Sequence, residues 1–197
     1  HIPTTVFVKH PSIWMETLSR YGGTLSFAPN FAFALAARRT SDAKLKKLDL
    51  SKVKALGCGA EPIHAKTLEA FARRFEVAGL QPEVMLPVYG MAEATLAMTF
   101  SELGKGMQID RVEGQAYHAQ GYAKPAASDD TQTIEFVSCG RPFPEHDVAI
   151  VGDNDERLDD RLVGEVVFRG PSVATGYYQQ VEATRQAFCD VGLKTGD

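Results

Sequence analysis

The sequence predicts an α/β fold in which a parallel βαβ subdomain is followed by a smaller, antiparallel, barrel-like β subdomain. In the first half, short apolar runs alternate with amphipathic segments of helical period, as in strands joined by crossover helices. In the last third, β-like runs are separated by Gly-containing turns. We expect residues 1–100 to form the α/β subdomain, 101–133 an insertion-like loop region, and 134–197 the β-rich subdomain.

The first elements are expected in the order helix, strand, helix. Ser12 is the expected N-cap of the first helix, which Gly22 and Gly23 end. Residues 24–28 are expected to form a strand that Pro29 breaks. Asn30 is then the expected N-cap of a helix over residues 31–39.

A strand, turn, helix, strand sequence predicts the parallel unit. The strand over 53–56 leads into a turn at 57–62, and a helix follows until Gly79. A second apolar run over 83–88 is closed by a turn at 89–93. Ligands in parallel α/β folds lie beyond the carboxyl ends of the strands, so both turns are candidate binding segments.

The character of the sequence changes after residue 100. Residues 101–133 show little periodicity and are rich in Ala and Gly, which predicts a long loop or an insertion. Three β-like runs follow at 134–138, 147–151 and 163–169. A last helix is expected at about 181–188.

Composition excludes several classes of function. The chain has 197 residues, 44% of them apolar, and a formal net charge of −4 without a basic stripe, so nucleic-acid binding is not expected. No apolar run reaches the roughly 20 residues that span a bilayer. The three cysteines, Cys58, Cys139 and Cys189, are widely separated, which favours a reducing cytoplasm over a disulfide framework.

The residues alone leave two readings of the turns open. The segment Gly57-Cys58-Gly59-Ala60 matches half of a GxGxxG motif, but position 62 is Pro, and no phosphate-loop motif occurs. Glu61 and Glu93 are carboxylates suited to Mg²⁺. The alternative, which the pattern alone favours, is that the glycines serve a tight turn and that Glu93 caps a helix.

The remaining candidate groups favour structural roles. His10, His64, His118 and His146 share no metal-binding spacing and are expected on the surface or in satisfied core positions. Cys58 has no partner His assignable from the sequence, so a small buried residue is expected in preference to a nucleophile.

Four ordered motifs nevertheless resemble those of the adenylate-forming (AMP-binding) superfamily, closest to the fatty acyl-AMP ligases. They are Gly59-Ala60-Glu61-Pro62, Tyr89-Gly90-Met91-Ala92-Glu93-Ala94-Thr95-Leu96, the segment 164–178, and Lys194-Thr195-Gly196-Asp197. The resemblance implies attack of a fatty carboxylate on the α-phosphate of ATP, which gives an acyl adenylate and pyrophosphate.

The resemblance also implies site residues. Gly59, Ala60 and Glu61 would line the adenine, and Tyr89 would stack on it within the turn that includes Gly90, Met91 and Ala92. Glu93 would hold Mg²⁺ against the phosphates, and Asp197 would accept hydrogen bonds from the ribose hydroxyls.

A second implied site takes the acyl chain. The segment 27–33 resembles the family's acyl pocket, with Asn30, Phe31 and Phe33 as candidate residues. Its apolar content suits an alkyl chain, whereas an amino acid substrate would need a buried acidic partner for its ammonium group.

Two features favour the acyl-AMP ligases within the superfamily. CoA ligases usually carry Thr where this chain has Ala92, and residues 108–133 match the position of an insertion found in acyl-AMP ligases. The acceptor would then be the phosphopantetheine of an acyl carrier protein in a polyketide, nonribosomal peptide or lipid pathway. A fatty acyl-CoA ligase and a non-catalytic binding module remain the alternatives.

The family's phosphate loop and its lysine-bearing lid would lie before His1 and after Asp197. We therefore expect an internal fragment of the family's large N-terminal domain, inactive in isolation.

Overall fold

The computed structural model describes the backbone of residues 1–197 and every side chain except that of Cys189, so the expectation for the Cys189 thiol lies outside the described residues. The chain divides into two units. The first comprises residues 1–88, 101–109 and 137–140, and the second comprises 89–100, 110–136 and 141–197.

The first unit is built on three parallel strands. Its elements, in chain order, are α1 (Thr4–Lys9), α2 (Ile13–Tyr21), β1 (Leu25–Ala28), α3 (Asn30–Arg39), α4 (Asp42–Leu45), β2 (Ala55–Cys58), α5 (Ala65–Phe75) and β3 (Met85–Tyr89), whose last residue falls in the second unit. Strand β2 pairs in parallel with both β1 and β3, in a register that aligns Phe27 with Gly57 and Gly57 with Leu86. The predicted βαβ arrangement is confirmed.

One face of this sheet packs on the helices. Leu56, Cys58 and Met85 belong to a core cluster that also contains residues of α2, α3 and α5. At its centre, Phe33 lies 5.1 Å from Trp14 and 4.9 Å from Phe71 between ring centroids, both edge-on. Such aromatic pairs add to the free energy of burying their apolar surface.

Three local expectations in the first unit were wrong. Gly57 and Cys58 continue β2, whose four residues are all buried as in a strand covered on both faces, so the turn starts at Gly59. The residue preceding α3 is Pro29, and Asn30 is its first helical residue. Ser12 precedes α2, but its hydroxyl accepts a hydrogen bond from Lys44 and caps no backbone amide.

The second unit is rich in β structure. Its elements are β4 (Thr99–Phe100), β5 (Ile109–Glu113), α6 (Gly114–Gln120), β6 (Thr133–Val137), β7 (Arg141–Pro142), β8 (Asp147–Val151), β9 (Glu165–Arg169), α7 (Val181–Ala187), β10 (Phe188–Cys189) and β11 (Gly192–Lys194). Strands β10, β11, β9 and β8 form an antiparallel sheet in that order, and β4 pairs antiparallel with β7. The predicted mixture of a parallel sheet and antiparallel β structure is confirmed.

The region expected as a loop contains regular structure. Strand β5 and helix α6 lie within residues 101–133, and β5 forms a two-stranded sheet with β6. Both elements are short, which explains why no periodic pattern identified them. None of the described helices has the length and apolar character needed to cross a lipid bilayer.

Candidate active site

The clearest pairing of predicted site residues joins Tyr89 and Asp197 in the second unit. The Tyr89 hydroxyl donates a hydrogen bond to Oδ2 of Asp197 at 2.5 Å. The backbone of Asp197 is fixed as well, because its carbonyl accepts from the Val166 amide at 3.2 Å and its amide donates to Thr195 Oγ1 at 3.3 Å. The structure thus brings together two residues that lie 108 positions apart.

The turn after Tyr89 is tight. A side chain at Gly90 would collide with the Leu96 carbonyl, so only glycine fits there. The Leu96 amide donates to the Met91 carbonyl at 3.0 Å. Thr95 and Leu96 both have positive φ, 54° and 81°, which side-chain-bearing residues adopt only when their surroundings impose it.

Glu93 lies in a 3₁₀ turn (Ala92–Ala94) and is half-buried. The Tyr177 hydroxyl donates to its Oε1 at 2.6 Å. This hydrogen bond lowers the pKa of Glu93 and raises the pKa of Tyr177, because it favours the ionised carboxylate together with the neutral phenol. Glu93 is therefore a carboxylate held in its charged form.

Glu93 suits a cation that takes few protein ligands. No hydrogen bond or ion pair with another described residue involves its Oε2. No group of three or more His, Cys, Asp or Glu side chains that could hold a metal occurs among the described residues. Mg²⁺ is often bound through one or two carboxylates, with water and substrate phosphates as its other ligands. Glu93 fits that role.

The Gly59–Glu61 turn belongs to the first unit. A Cβ at Gly59 would lie 2.6 Å from the Val88 carbonyl oxygen, and Ala60 has a φ of 66°. Oε1 of Glu61 accepts a hydrogen bond from the Phe31 amide at 2.5 Å. Since Pro29 offers no side-chain cap, Glu61 satisfies an otherwise unpaired donor at the start of α3. No pattern in the sequence indicated this capping role.

The acyl candidates lie at the start of α3 in different environments. Asn30 is buried, and its Oδ1 accepts from the His64 amide at 3.2 Å. The Phe31 side chain is 43% exposed, whereas Phe33 is fully buried in the aromatic core. Asn30, Phe31 and Glu61 are therefore neighbours that join the turn after β2 to α3.

Two further side chains bear on the site. Tyr177, the partner of Glu93, was not among the predicted site residues, although it lies within the motif of residues 164–178. Burial, with a contribution from the charge of Glu61, raises the pKa of the Cys58 thiol to about 12. Cys58 is thus a neutral, buried residue, as expected, because a nucleophile would require the thiolate.

Relatives of this chain are named as acid-activating enzymes. It is 38% identical over 185 residues, 92% of its length, to the long-chain-fatty-acid–AMP ligase FadD26 of Mycobacterium tuberculosis. It is 34% identical over 184 residues to the medium-chain-fatty-acid–[acyl-carrier-protein] ligase JamA of Moorena producens, again 92% of its length. It is also 32% identical over its whole length to a Caulobacter vibrioides protein provisionally named as an acyl-CoA synthetase. The chain spans about a third of these relatives, 31%, 31% and 34% respectively.

The chain is also similar to solved structures of adenylate-forming ligases. A structure from a study of fatty acyl-adenylate ligases of E. coli and L. pneumophila matches 98% of this chain and 35% of its own with a TM-score of 0.94 and 33% identity. The family model for the AMP-binding enzyme matches residues 1–178. The chain belongs to the AMP-binding enzyme family.

Proposed function

We propose that the protein containing this chain is a fatty acyl-AMP ligase. It would join a fatty carboxylate to the α-phosphorus of ATP, break the bond between that phosphorus and the bridging oxygen, and release pyrophosphate. The observation that carries the proposal is the hydrogen bond between Tyr89 and Asp197, two residues to which the family resemblance assigns the nucleoside. The names of the acyl-AMP ligase relatives support the substrate class.

Asp197 would bind the ribose. Its Oδ2 already accepts from Tyr89, and its Oδ1 would accept from the hydroxyls of the sugar. The same contact holds the Tyr89 ring in one orientation, which favours stacking on a flat base. The backbone of Gly59, Ala60 and Glu61 would contact the adenine, since Gly59 and Ala60 present little side chain.

Glu93 would hold Mg²⁺ together with the nucleotide phosphates. The cation, when bound, would neutralise charge that develops on the phosphate oxygens. Tyr177 contributes by keeping the carboxylate ionised and in place. Gly90, Met91 and Ala92 would set the position of Glu93 through the tight turn they form.

The start of α3 would contact the acyl chain. Phe31 presents the exposed ring, while Phe33, two residues later on the opposite face of α3, anchors the helix in the core. Asn30, the first residue of α3, is held in place by the hydrogen bond that its Oδ1 accepts from the His64 amide. Apolar surface at Phe31 favours an alkyl chain as the substrate.

We further propose that the acceptor is the phosphopantetheine thiol of an acyl carrier protein and that the protein works in the cytoplasm with Mg²⁺-ATP. The carrier-protein ligase JamA supports this acceptor. The second candidate, an acyl-CoA ligase, is favoured by the Caulobacter relative. Ala92 favours the first candidate, because it lacks the hydroxyl that CoA ligases usually have there.

The test compares the two acceptors. The natural protein that contains this chain is incubated with ATP, Mg²⁺ and fatty acids of graded length, with either CoA or a phosphopantetheinylated carrier protein. We expect ATP–pyrophosphate exchange that depends on the fatty acid, with acyl transfer to the carrier protein but not to CoA. Rapid formation of acyl-CoA would favour the second candidate, and absence of exchange would contradict both.

A further inference from the structure

His146 has no assigned role, yet it makes specific contacts with the segment that holds Glu93. It lies directly before β8 and is half-buried. We propose that His146 is a positioning residue, which fixes Glu93 for the adenylation of the fatty acid by holding the segment of residues 170–177. The proposal rests on the proposed function of Glu93, but its contacts lie entirely within the second unit.

The hydrogen bonds of His146 give each ring nitrogen a different role. Nδ1 lies 3.0 Å from the Pro144 carbonyl oxygen, which can only accept, so Nδ1 must carry a hydrogen. Nε2 lies 3.3 Å from the Ser172 amide nitrogen, which donates to it, so Nε2 must be without one. The Ser172 hydroxyl, 2.9 Å away, can then donate to the same nitrogen. In this arrangement Nδ1 donates to Pro144, and Nε2 accepts from residue 172.

The ring itself is held by packing. It stacks on Phe168, with centroids 5.3 Å apart and planes 18° apart. Phe168 is fully buried with Ala94 and Met98, so the ring rests on the small core beneath the Glu93 turn. A side chain at Gly170 would collide with the imidazole, which shows how closely the segment lies against it.

From Ser172 the segment contacts the Glu93 turn at three points. The Ser172 carbonyl accepts from Thr95 Oγ1 at 2.8 Å, and the Ala174 amide donates to the Glu93 carbonyl at 2.7 Å. The Tyr177 hydroxyl donates to the Glu93 carboxylate. These bonds act on a turn whose Thr95 backbone has positive φ, a conformation that the surroundings must impose. His146 fixes the near end of the segment that supplies them.

The first experiment is a double-mutant cycle in the natural protein that contains this chain. His146→Phe keeps the stacking but removes all three hydrogen bonds of the ring, and we expect kcat for fatty-acid-dependent exchange to fall about 10- to 100-fold, the scale of a small misplacement at a reacting centre. KM for the fatty acid should change by less than about twofold. In a Glu93→Gln background, His146→Phe should lower kcat by less than about twofold, because His146 acts through Glu93. Full additivity of the two losses would overturn the proposal.

Two variants separate positioning from folding. His146→Gln retains an acceptor for the Ser172 amide and should recover most of the lost kcat, whereas equal losses for Phe and Gln contradict the proposal. His118→Phe is the matched control, because His118 is an exposed histidine of α6 in the same unit that makes a ring contact with Tyr117 and has no role in the site. It should leave kcat unchanged.

A second measurement needs no substrate. The Ala174 amide, which donates to the Glu93 carbonyl, should exchange its hydrogen with solvent about tenfold faster in His146→Phe than in the wild type, and at the wild-type rate in His118→Phe. An unaltered hydrogen-exchange rate in His146→Phe would contradict the proposal. Faster hydrogen exchange in His146→Phe, in a protein whose wild type shows no ATP–pyrophosphate exchange, contradicts the proposed function and supports the contact, whereas normal ATP–pyrophosphate exchange by His146→Phe contradicts the positioning role alone.

Discussion

At the scale of single residues, each predicted carboxylate has a donor of its own. Asp197 accepts from Tyr89, Glu93 from Tyr177, and Glu61 from the Phe31 amide. The motifs indicated the carboxylates because a residue type at a fixed spacing is visible in a sequence. Two of the donors are 108 and 84 positions distant, so only the fold identifies them.

The Tyr177 contact predicts a change in pH dependence. The pKa of Glu93 is lowered in the folded protein, so the contact stabilises the ionised form above the ordinary pKa and is lost as the pH falls through the lowered one. Tyr177→Phe should therefore move the acid limb of the kcat/KM profile for ATP–pyrophosphate exchange to higher pH. Tyr178→Phe is the control, since Tyr178 is 88% exposed and its hydroxyl accepts a hydrogen bond from the neighbouring Gln179 side chain and not from the Glu93 turn. Identical acid limbs for wild type and Tyr177→Phe would contradict this explanation.

At the scale of elements, helical period and Gly placement predicted most of the structure, while the identity of caps was missed. Helix α5 and the end of α2 at Gly22 follow the expected pattern, because apolar spacing and left-handed glycine are local properties. The start of α3 does not. The Phe31 amide donates to Glu61, 30 positions away. The Asn30 side chain instead accepts from the amide of His64, the residue before α5.

The Glu61 cap predicts a measurable loss of stability. Glu61→Ala should lower the free energy of unfolding by about 1 kcal/mol, the usual cost of removing a helix cap, as measured by urea denaturation. Glu61→Gln keeps an acceptor oxygen and should lose less than half of that. Glu69→Ala, at an exposed site on α5 without an ion pair among the described residues, is the matched control. Equal losses for the Glu61 and Glu69 variants would show that the cap adds nothing.

At the scale of the whole molecule, the sequence predicted that the fold has a parallel and an antiparallel part, but it did not predict every strand pairing. Alternating apolar runs identified β8 and β9, which pair as expected. The run that forms β6 pairs instead with β5, inside a region whose Ala and Gly content predicted no strand. Pairing partners depend on long-range contacts, and the pattern of one strand specifies its faces but not its neighbour.

Those long-range contacts include a tie between the insertion-like region and the connection from β8 to β9. Ala123 donates to the Arg161 carbonyl and Val163 to that of Gly121, each at 2.8 Å. The Arg161 guanidinium bonds the Ala123 carbonyl at 2.7 Å and Asp110 at 3.1 Å. Arg161 thus bonds the insertion-like region through both its backbone carbonyl and its side chain, although it lies on an exposed turn.

Arg161→Ala should therefore loosen this region locally. Losing both side-chain bonds should raise the exchange rate of the Ala123 amide by up to about 30-fold, because each bond of this kind contributes about 1 kcal/mol and local opening needs only local bonds to break. Native-state hydrogen exchange measures this directly, with the buried Leu56 amide of β2 in the first unit as an internal reference. Arg157→Ala, which removes a 3.5 Å ion pair to Asp147 on the same connection, should leave the Ala123 amide unchanged. An equal rise at Leu56 would mean that the variant destabilises the whole chain and that the tie is not local.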